Sequence, residues 1–296
     1  MSSLSDGSRE NLITEIRLLR SLNHKYIVTL EDFFWDDKNI YIVLEYCNAG
    51  SLSTFIRSKK SLPEATCKYF LRQLAAAVQY MRSNDICHFD LKPQNLLLTK
   101  VGTNNVCLKV ADFGFAQHLK LGEINMQLKG SPLYMAPEIV LKHQYDARAD
   151  LWSIGVILYE CLFGRAPYSS KTLEELLMRI RSCEKINLPP NSRISKECED
   201  LLSCLLQHDP GKRISFKDFF NHAFLDLKTF PSEKVSFNHQ SKKNQSWKIQ
   251  ILTVVFHFRL YKKPLSWLPK PWSMMKNRII KRPTIFIAVL CNILYH

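Results

Sequence analysis

His88-Phe89-Asp90-Leu91-Lys92-Pro93-Gln94-Asn95, followed by Asp112-Phe113-Gly114 and then Met135-Ala136-Pro137-Glu138, decides how the rest of this chain is read. Each motif is short, and short motifs count only when their order and surroundings agree. Outward from them, the surroundings do agree. Ile40-Tyr41-Ile42-Val43-Leu44-Glu45-Tyr46 is a β-branched and aromatic run that reads as a strand, and Cys47-Asn48-Ala49-Gly50 breaks it into a linker. Ser61-Leu62-Pro63-Glu64 opens an amphipathic helix through Tyr80, with Ser61 as N-cap and Pro63 in the first turn. Phe70, Leu71, Leu74, Val78 and Met81 give that helix one apolar face. Residues 150–159, from Asp150 to Tyr159, read as a helix that is hydrophobic nearly all round, and such a helix belongs in a core.

The ordered set resembles the catalytic half of a eukaryotic protein kinase. Three longer phrases narrow the resemblance: Val110-Ala111-Asp112-Phe113-Gly114-Phe115-Ala116-Gln117, Gly130 through Glu138, and Tyr145-Asp146-Ala147-Arg148-Ala149-Asp150-Leu151-Trp152 are similar to the ULK family of autophagy-initiating Ser/Thr kinases. The similarity runs from Glu10 to Leu227. It implies an α+β, two-lobed fold with an incomplete small lobe and a mainly helical large lobe. Residues 1–46 would be the partial small lobe (a helix and two strands), 47–228 the large lobe, and 229–296 a basic, aromatic-rich tail.

The resemblance also assigns roles. Asp90 would accept the proton of the substrate hydroxyl, Lys92 would steady the transferring phosphoryl group, and Asn95 and Asp112 would hold Mg²⁺ against the phosphates of ATP. Two carboxylates, one amide and one ammonium suffice, because the chemistry needs little beyond positioning and charge neutralisation. The backbone of Glu45 and Cys47 would meet the adenine edge, with Leu44 and Leu97 also at the nucleotide, and Glu15 is the helix carboxylate expected to pair with a strand Lys. Asp150 would tie down the backbone of the catalytic loop, and Ser131 would bridge Asp90 and Lys92. Arg213 would pair with Glu138, while Leu19, Leu30, His88 and Phe113 would form an apolar spine.

Substrate class follows from the same comparison. Lys92, two residues after Asp90, resembles the Ser/Thr rather than the Tyr kinases. Ser51 and Gln94 stand where Arg-directed relatives carry carboxylates, so nothing would compensate a desolvated substrate Arg, and no preference for one is expected. Phe89 replaces the Arg that usually precedes the catalytic Asp, and residues 115–129 contain no Ser, Thr or Tyr. No phosphorylation switch is expected there.

Two features argue against a complete enzyme. The fourteen residues before Glu15 hold one Gly, Gly7, and no Lys, and Gly-x-Gly-x-x-Gly occurs nowhere in the chain. The expectation is a chain truncated at its N-terminus relative to the family, with an exposed sheet edge and weakened phosphate grip. A non-catalytic interaction module is the alternative.

Net charge is +14 over 296 residues. Lys234 to His296 hold twelve Lys or Arg and no Asp or Glu, which leaves residues 1–233 at +2. Nothing points to nucleic acid. The tail interleaves its cations with Trp247, Phe256, Phe258, Tyr261, Trp267, Trp272 and Phe286, and Pro264, Pro269, Pro271 and Pro283 interrupt any helical period. It reads as a disordered or aberrantly spliced extension, with weak contact to an anionic membrane as the alternative. The apolar run from Ile285 is far short of the ~20 residues that span a bilayer. Nine Cys without metal or disulfide spacing suit reduced thiols, and the polar start is no signal peptide, so a cytoplasmic location is expected. Partners would be protein substrates with Ser/Thr acceptors and, by the resemblance, autophagy-complex proteins.

Overall fold

A computed structural model describes residues 15–35, 40–102, 105–126, 130–170, 172–182, 186–190 and 192–227, together with two short strands at 249–252 and 285–288. The chain divides into two compact units: Met1–Asn23, Val28–Cys47 and Glu233–His296 form the smaller, His24–Ile27 and Asn48–Ser232 the larger.

In the smaller unit the helical residues 15–21 (α1) bury Ile16, Leu18 and Leu19. β1 (Leu30–Trp35) and β2 (Ile40–Glu45) pair antiparallel, with a register shift between Leu30 and Asp32. Phe33, Phe34, Ile42, Val43 and Leu44 are buried, as expected for β-branched and aromatic residues on a pleated surface. The other edge of β2 is not exposed: β7 (Ile249–Leu252) pairs with it antiparallel, and β8 (Ile285–Ala288) pairs parallel with β7. The open sheet therefore ends at β1 and β8, so the edge strand expected from sequence is not β2, and the physical reason is direct. A row of unpaired backbone donors and acceptors is a template for another strand, here one from the same chain. The remaining aromatic and basic tail residues lie outside the described residues.

The larger unit is mostly helical. α2 (Leu52–Lys59) begins at a capping box in which the Ser51 hydroxyl accepts from the Thr54 amide and the Thr54 hydroxyl accepts from the Ser51 amide. α3 (Glu64–Ser83) starts later than the sequence reading placed it. Pro63, not Ser61, is its N-cap, and the Pro63 carbonyl accepts from the Thr66 and Cys67 amides. The Glu64 side chain is engaged elsewhere, accepting from the Ser195 amide and hydroxyl. All five apolar residues expected on the buried face of α3 are buried.

β3 (Ile86–Cys87) pairs with β6 (Gln117–His118), and β4 (Leu96–Val101) pairs with β5 (Asn105–Val110). α4 (Pro137–Lys142) precedes α5 (Ala149–Phe163), which is buried along nearly its whole length and packs against α3 and α7 (Lys196–Leu205). Gly155 permits this approach, since a Cβ there would lie 2.8 Å from Leu206 and 2.9 Å from Leu205. α6 (Leu173–Arg181), α7 and α8 (Phe216–Phe220) each start at a hydroxyl cap, from Thr172, Ser195 and Ser215. His24–Ile27 joins this unit because the Val110 amide donates to the Tyr26 carbonyl at 2.8 Å and His24 stacks on Tyr80 at 4.9 Å.

Candidate active site

Residues 88–95 form the loop between β3 and β4, and their backbone is held from below by α5. The buried carboxylate of Asp150 accepts from the His88 amide and the Phe89 amide, both at 2.8 Å. Burial pushes the Asp150 carboxyl upward, opposed by His88 and those two N–H groups. Phe89 takes a left-handed φ of 59°, rare for an aromatic residue, and the hydrogen bond its backbone N–H donates to Asp150 helps hold it there.

Asp90 consequently projects into a closed set of polar bonds. Lys92 Nζ lies 2.6 Å from Asp90 Oδ2 and donates at 2.8 Å to Ser131 Oγ, which donates at 2.9 Å to Asp90 Oδ1. Asn95 Nδ2 donates to the Asp90 carbonyl and to Asp90 Oδ2, both at 3.0 Å. Asp90 and Asn95 are buried, and Lys92 is half-buried. The Asn95 carbonyl accepts from the Ala111 amide at 2.9 Å, which sets the next residue, Asp112, beside the same loop. Asp112 is exposed with φ 65°, and the Gly114 amide approaches its Oδ1 at 3.4 Å.

These groups fit Mg²⁺. The Asn95 amide nitrogen is turned to Asp90, so the amide oxygen and the Asp112 carboxylate are the hard oxygen donors. No group of three or more His, Cys, Asp or Glu able to hold a metal occurs among the described residues. An amide and a single carboxylate suit a cation that keeps phosphate oxygens and water in its shell.

The supporting residues lie in the same unit. Arg213 and Glu138 form a bidentate pair at 2.6 and 2.8 Å, with side chains 0 % and 3 % exposed, and Arg213 also donates to the carbonyls of Arg148 and Gln207. His88 and Phe113 lie with ring centroids 5.0 Å apart. Ser51, where a substrate-reading carboxylate would stand, is occupied in capping α2, and Gln94 is exposed. In the smaller unit, Leu19 and Leu44 are buried, Leu30 and Glu15 are half-buried, and Glu45 exchanges two bonds with Thr29: its amide donates to the Thr29 carbonyl and its carboxylate accepts from the Thr29 amide. Cys47 is buried and ends the Val28–Cys47 segment of this unit, and Leu97, in the larger one, is half-buried on β4.

Sequence reasoning missed how the segment after Gly114 is fixed. Asn125 and Tyr145 exchange backbone hydrogen bonds, and Gly130 (φ 111°) passes so close to the loop that a Cβ would meet the Phe89 carbonyl at 2.7 Å. Gly130 was open to sequence reading as a glycine directly before Ser131. The Asn125–Tyr145 pairing left no local signal.

With a buried carboxylate bonded to an ammonium, an amide and a hydroxyl, and a second carboxylate on the residue after Ala111, whose amide bonds the same loop, the chain matches the protein kinase domain over residues 2–225, and it belongs to that family. Within it, the chain is a ULK-family kinase: it is 51% identical over 230 residues to serine/threonine-protein kinase ULK3 of Mus musculus and of Homo sapiens, covering 78% of this chain and 48% of each relative. Serine/threonine-protein kinase ATG1b of Arabidopsis thaliana is 44% identical over 229 residues, 77% of this chain and 32% of that relative. The chain thus spans about half the length of the ULK3 relatives it matches.

Proposed function

We propose that this chain is an ATP- and Mg²⁺-dependent Ser/Thr protein kinase that transfers the γ-phosphate to Ser or Thr hydroxyls of protein substrates, in a cytoplasmic, ULK-like role in autophagy signalling. The observation that carries this reading is the Asp90–Lys92–Ser131–Asn95 network. Asp90 Oδ1 and Oδ2 are oriented as acceptors by three side chains, so the carboxylate can take a proton from a hydroxyl without first reorganising. Lys92 neutralises Asp90 and stands ready to neutralise charge on a passing phosphoryl group. Bound Mg²⁺-ATP would supply the phosphoryl group and screen its charge, with Asn95 and Asp112 as the metal's protein donors; by family resemblance the backbone of Glu45 and Cys47, with Leu44 and Leu97, would meet the base.

A second reading is a catalytically impaired interaction module that docks proteins through the large unit. The observation favouring it is that no Gly-x-Gly-x-x-Gly occurs in the sequence. Autophagy-complex proteins are the partners under either reading, and the basic tail allows weak contact with anionic membranes. No helix among the described residues is long and apolar enough to cross a membrane.

The deciding experiment is transfer of labelled γ-phosphate to a protein substrate by the purified chain and by Asp90→Asn. The kinase reading expects turnover that Asp90→Asn lowers by about 10²- to 10⁴-fold. Absence of turnover in both, with retained binding to captured substrate protein, would instead establish the module.

A further inference from the structure

Residues 120–126 have little to hold them by burial. Leu121, Ile124 and Met126 are 80, 64 and 68% exposed, and Asn125 is the one buried residue in that stretch. Something other than an apolar face must therefore fix the segment that leads to Ser131, and the contacts of Asn125 identify it. Its amide donates to the Tyr145 carbonyl at 2.7 Å, the Tyr145 amide donates to the Asn125 carbonyl at 3.0 Å, and its side-chain nitrogen donates to Gln117 Oε1 at 2.6 Å. Gln117 lies on β6, opposite Cys87 of β3. Tyr145, buried, meets the ring of Phe89 edge-on, with centroids 5.1 Å apart and an interplanar angle of 87°. Phe89 is the residue before Asp90, and two residues after β3. The chain of contacts therefore closes on itself: β3, β6, Asn125, Tyr145, Phe89 and back to β3.

We propose that Phe89, Tyr145 and Asn125 form a clamp that fixes residues 115–126 against the catalytic loop without phosphorylation. A phosphate would order such a segment only through a cation, and the side chain beside Asp90 is an aromatic ring packed on another ring. Residues 115–129 also offer no hydroxyl to phosphorylate. Gly130, where a Cβ would come within 2.7 Å of the Phe89 carbonyl, and Ser131, which bonds to Asp90 and Lys92, lie against the same loop. Phe89, Tyr145 and Asn125 are thus positioning residues for Asp90. Their effect on turnover rests on the kinase reading, but the clamp itself does not.

The test is hydrogen exchange of residues 115–126 in the full chain, before and after phosphatase treatment, and in the variants Asn125→Ala and Phe89→Ala. Phosphatase should change nothing. Asn125→Ala and Phe89→Ala should speed exchange in 115–126 by about tenfold, the scale of one lost hydrogen bond or ring contact, while α5 amides keep their protection. Should Phe89→Ala unfold the unit, seen as lost α5 protection, Asn125→Ala decides, since it leaves the ring contact and the backbone bridge in place. Loosening by phosphatase, or unchanged exchange in Asn125→Ala, overturns the proposal. If the chain transfers phosphate, the two alanine variants should lower kcat with KM for ATP unchanged. If it does not, the exchange data still judge the clamp.

Discussion

The two units satisfy their polar groups in opposite ways. In the larger unit, charged side chains withdrawn from water find partners in the same unit at short range: Arg213 with Glu138, Asp150 with two loop amides, Asp90 with Lys92, Ser131 and Asn95. Removing one partner strands the other in a low-dielectric interior. In the smaller unit the bonds at stake are backbone bonds along β2, and their second partner is β7, contributed from beyond residue 248. Losing that partner returns the β2 edge to water rather than burying it unpaired. The first arrangement is costly to break and local. The second is cheap to break and depends on a distant stretch of chain.

The strongest way to break this contrast is Arg213→Leu. It leaves Glu138 charged and buried, and should cost about 3–5 kcal/mol of the larger unit's stability in urea unfolding. Hydrogen exchange in β2 should be unaffected. If β2 loses protection in parallel, the two units are one cooperative block and the contrast fails.

Deleting residues 234–296 probes the other side. Amides of Ile40–Glu45 should exchange faster, by a factor set by about 1 kcal/mol per lost bond, with α5 protection and the larger unit's urea midpoint unchanged. Equal exchange with and without the tail would mean that β7 adds nothing to the sheet.

The smallest effect is a matter of pH. Burial, reinforced by Lys109, lowers the His24 pKa from 6.5 to about 4, so the folded unit keeps this ring neutral while the unfolded chain takes a proton first. Stability tied to His24 is therefore fully present above pH 6.5 and is lost as pH falls from there toward about 4. His24 is half-exposed, so its loss per pH unit should be well under the ~1.4 kcal/mol that one proton can contribute. Comparing the urea midpoint at neutral and mildly acid pH for the wild type and His24→Phe, which keeps a ring on Tyr80, should show a flatter dependence in the variant.

Much of the larger unit was legible from sequence because its signals are local or strongly apolar. Residues 150–159 could only be a core helix, and α5 buries nearly every side chain. The hydroxyl of Ser131 was expected between Asp90 and Lys92, and its distances to them are 2.9 and 2.8 Å. The start of α3 was misjudged for a physical reason. Ser61 has the chemistry of a cap, but Leu62 is tied by its amide to the Cys161 carbonyl, so the helix begins only once Pro63 has turned the chain.

Sequence alone singled out the side chains proposed to carry the chemistry, Asp90, Lys92, Asn95 and Asp112, and the helix that must be buried, because residue identity fixes which groups can carry a charge and which are hydrophobic wherever a residue lies. Only the tertiary structure decided that Tyr145 holds Asn125 and packs on Phe89, that Ser51 serves α2, and that β7 covers the edge of β2. Those pairings join residues whose spacing in the chain encodes nothing. Which donor meets which acceptor is set by the packing of whole elements, after each has already formed.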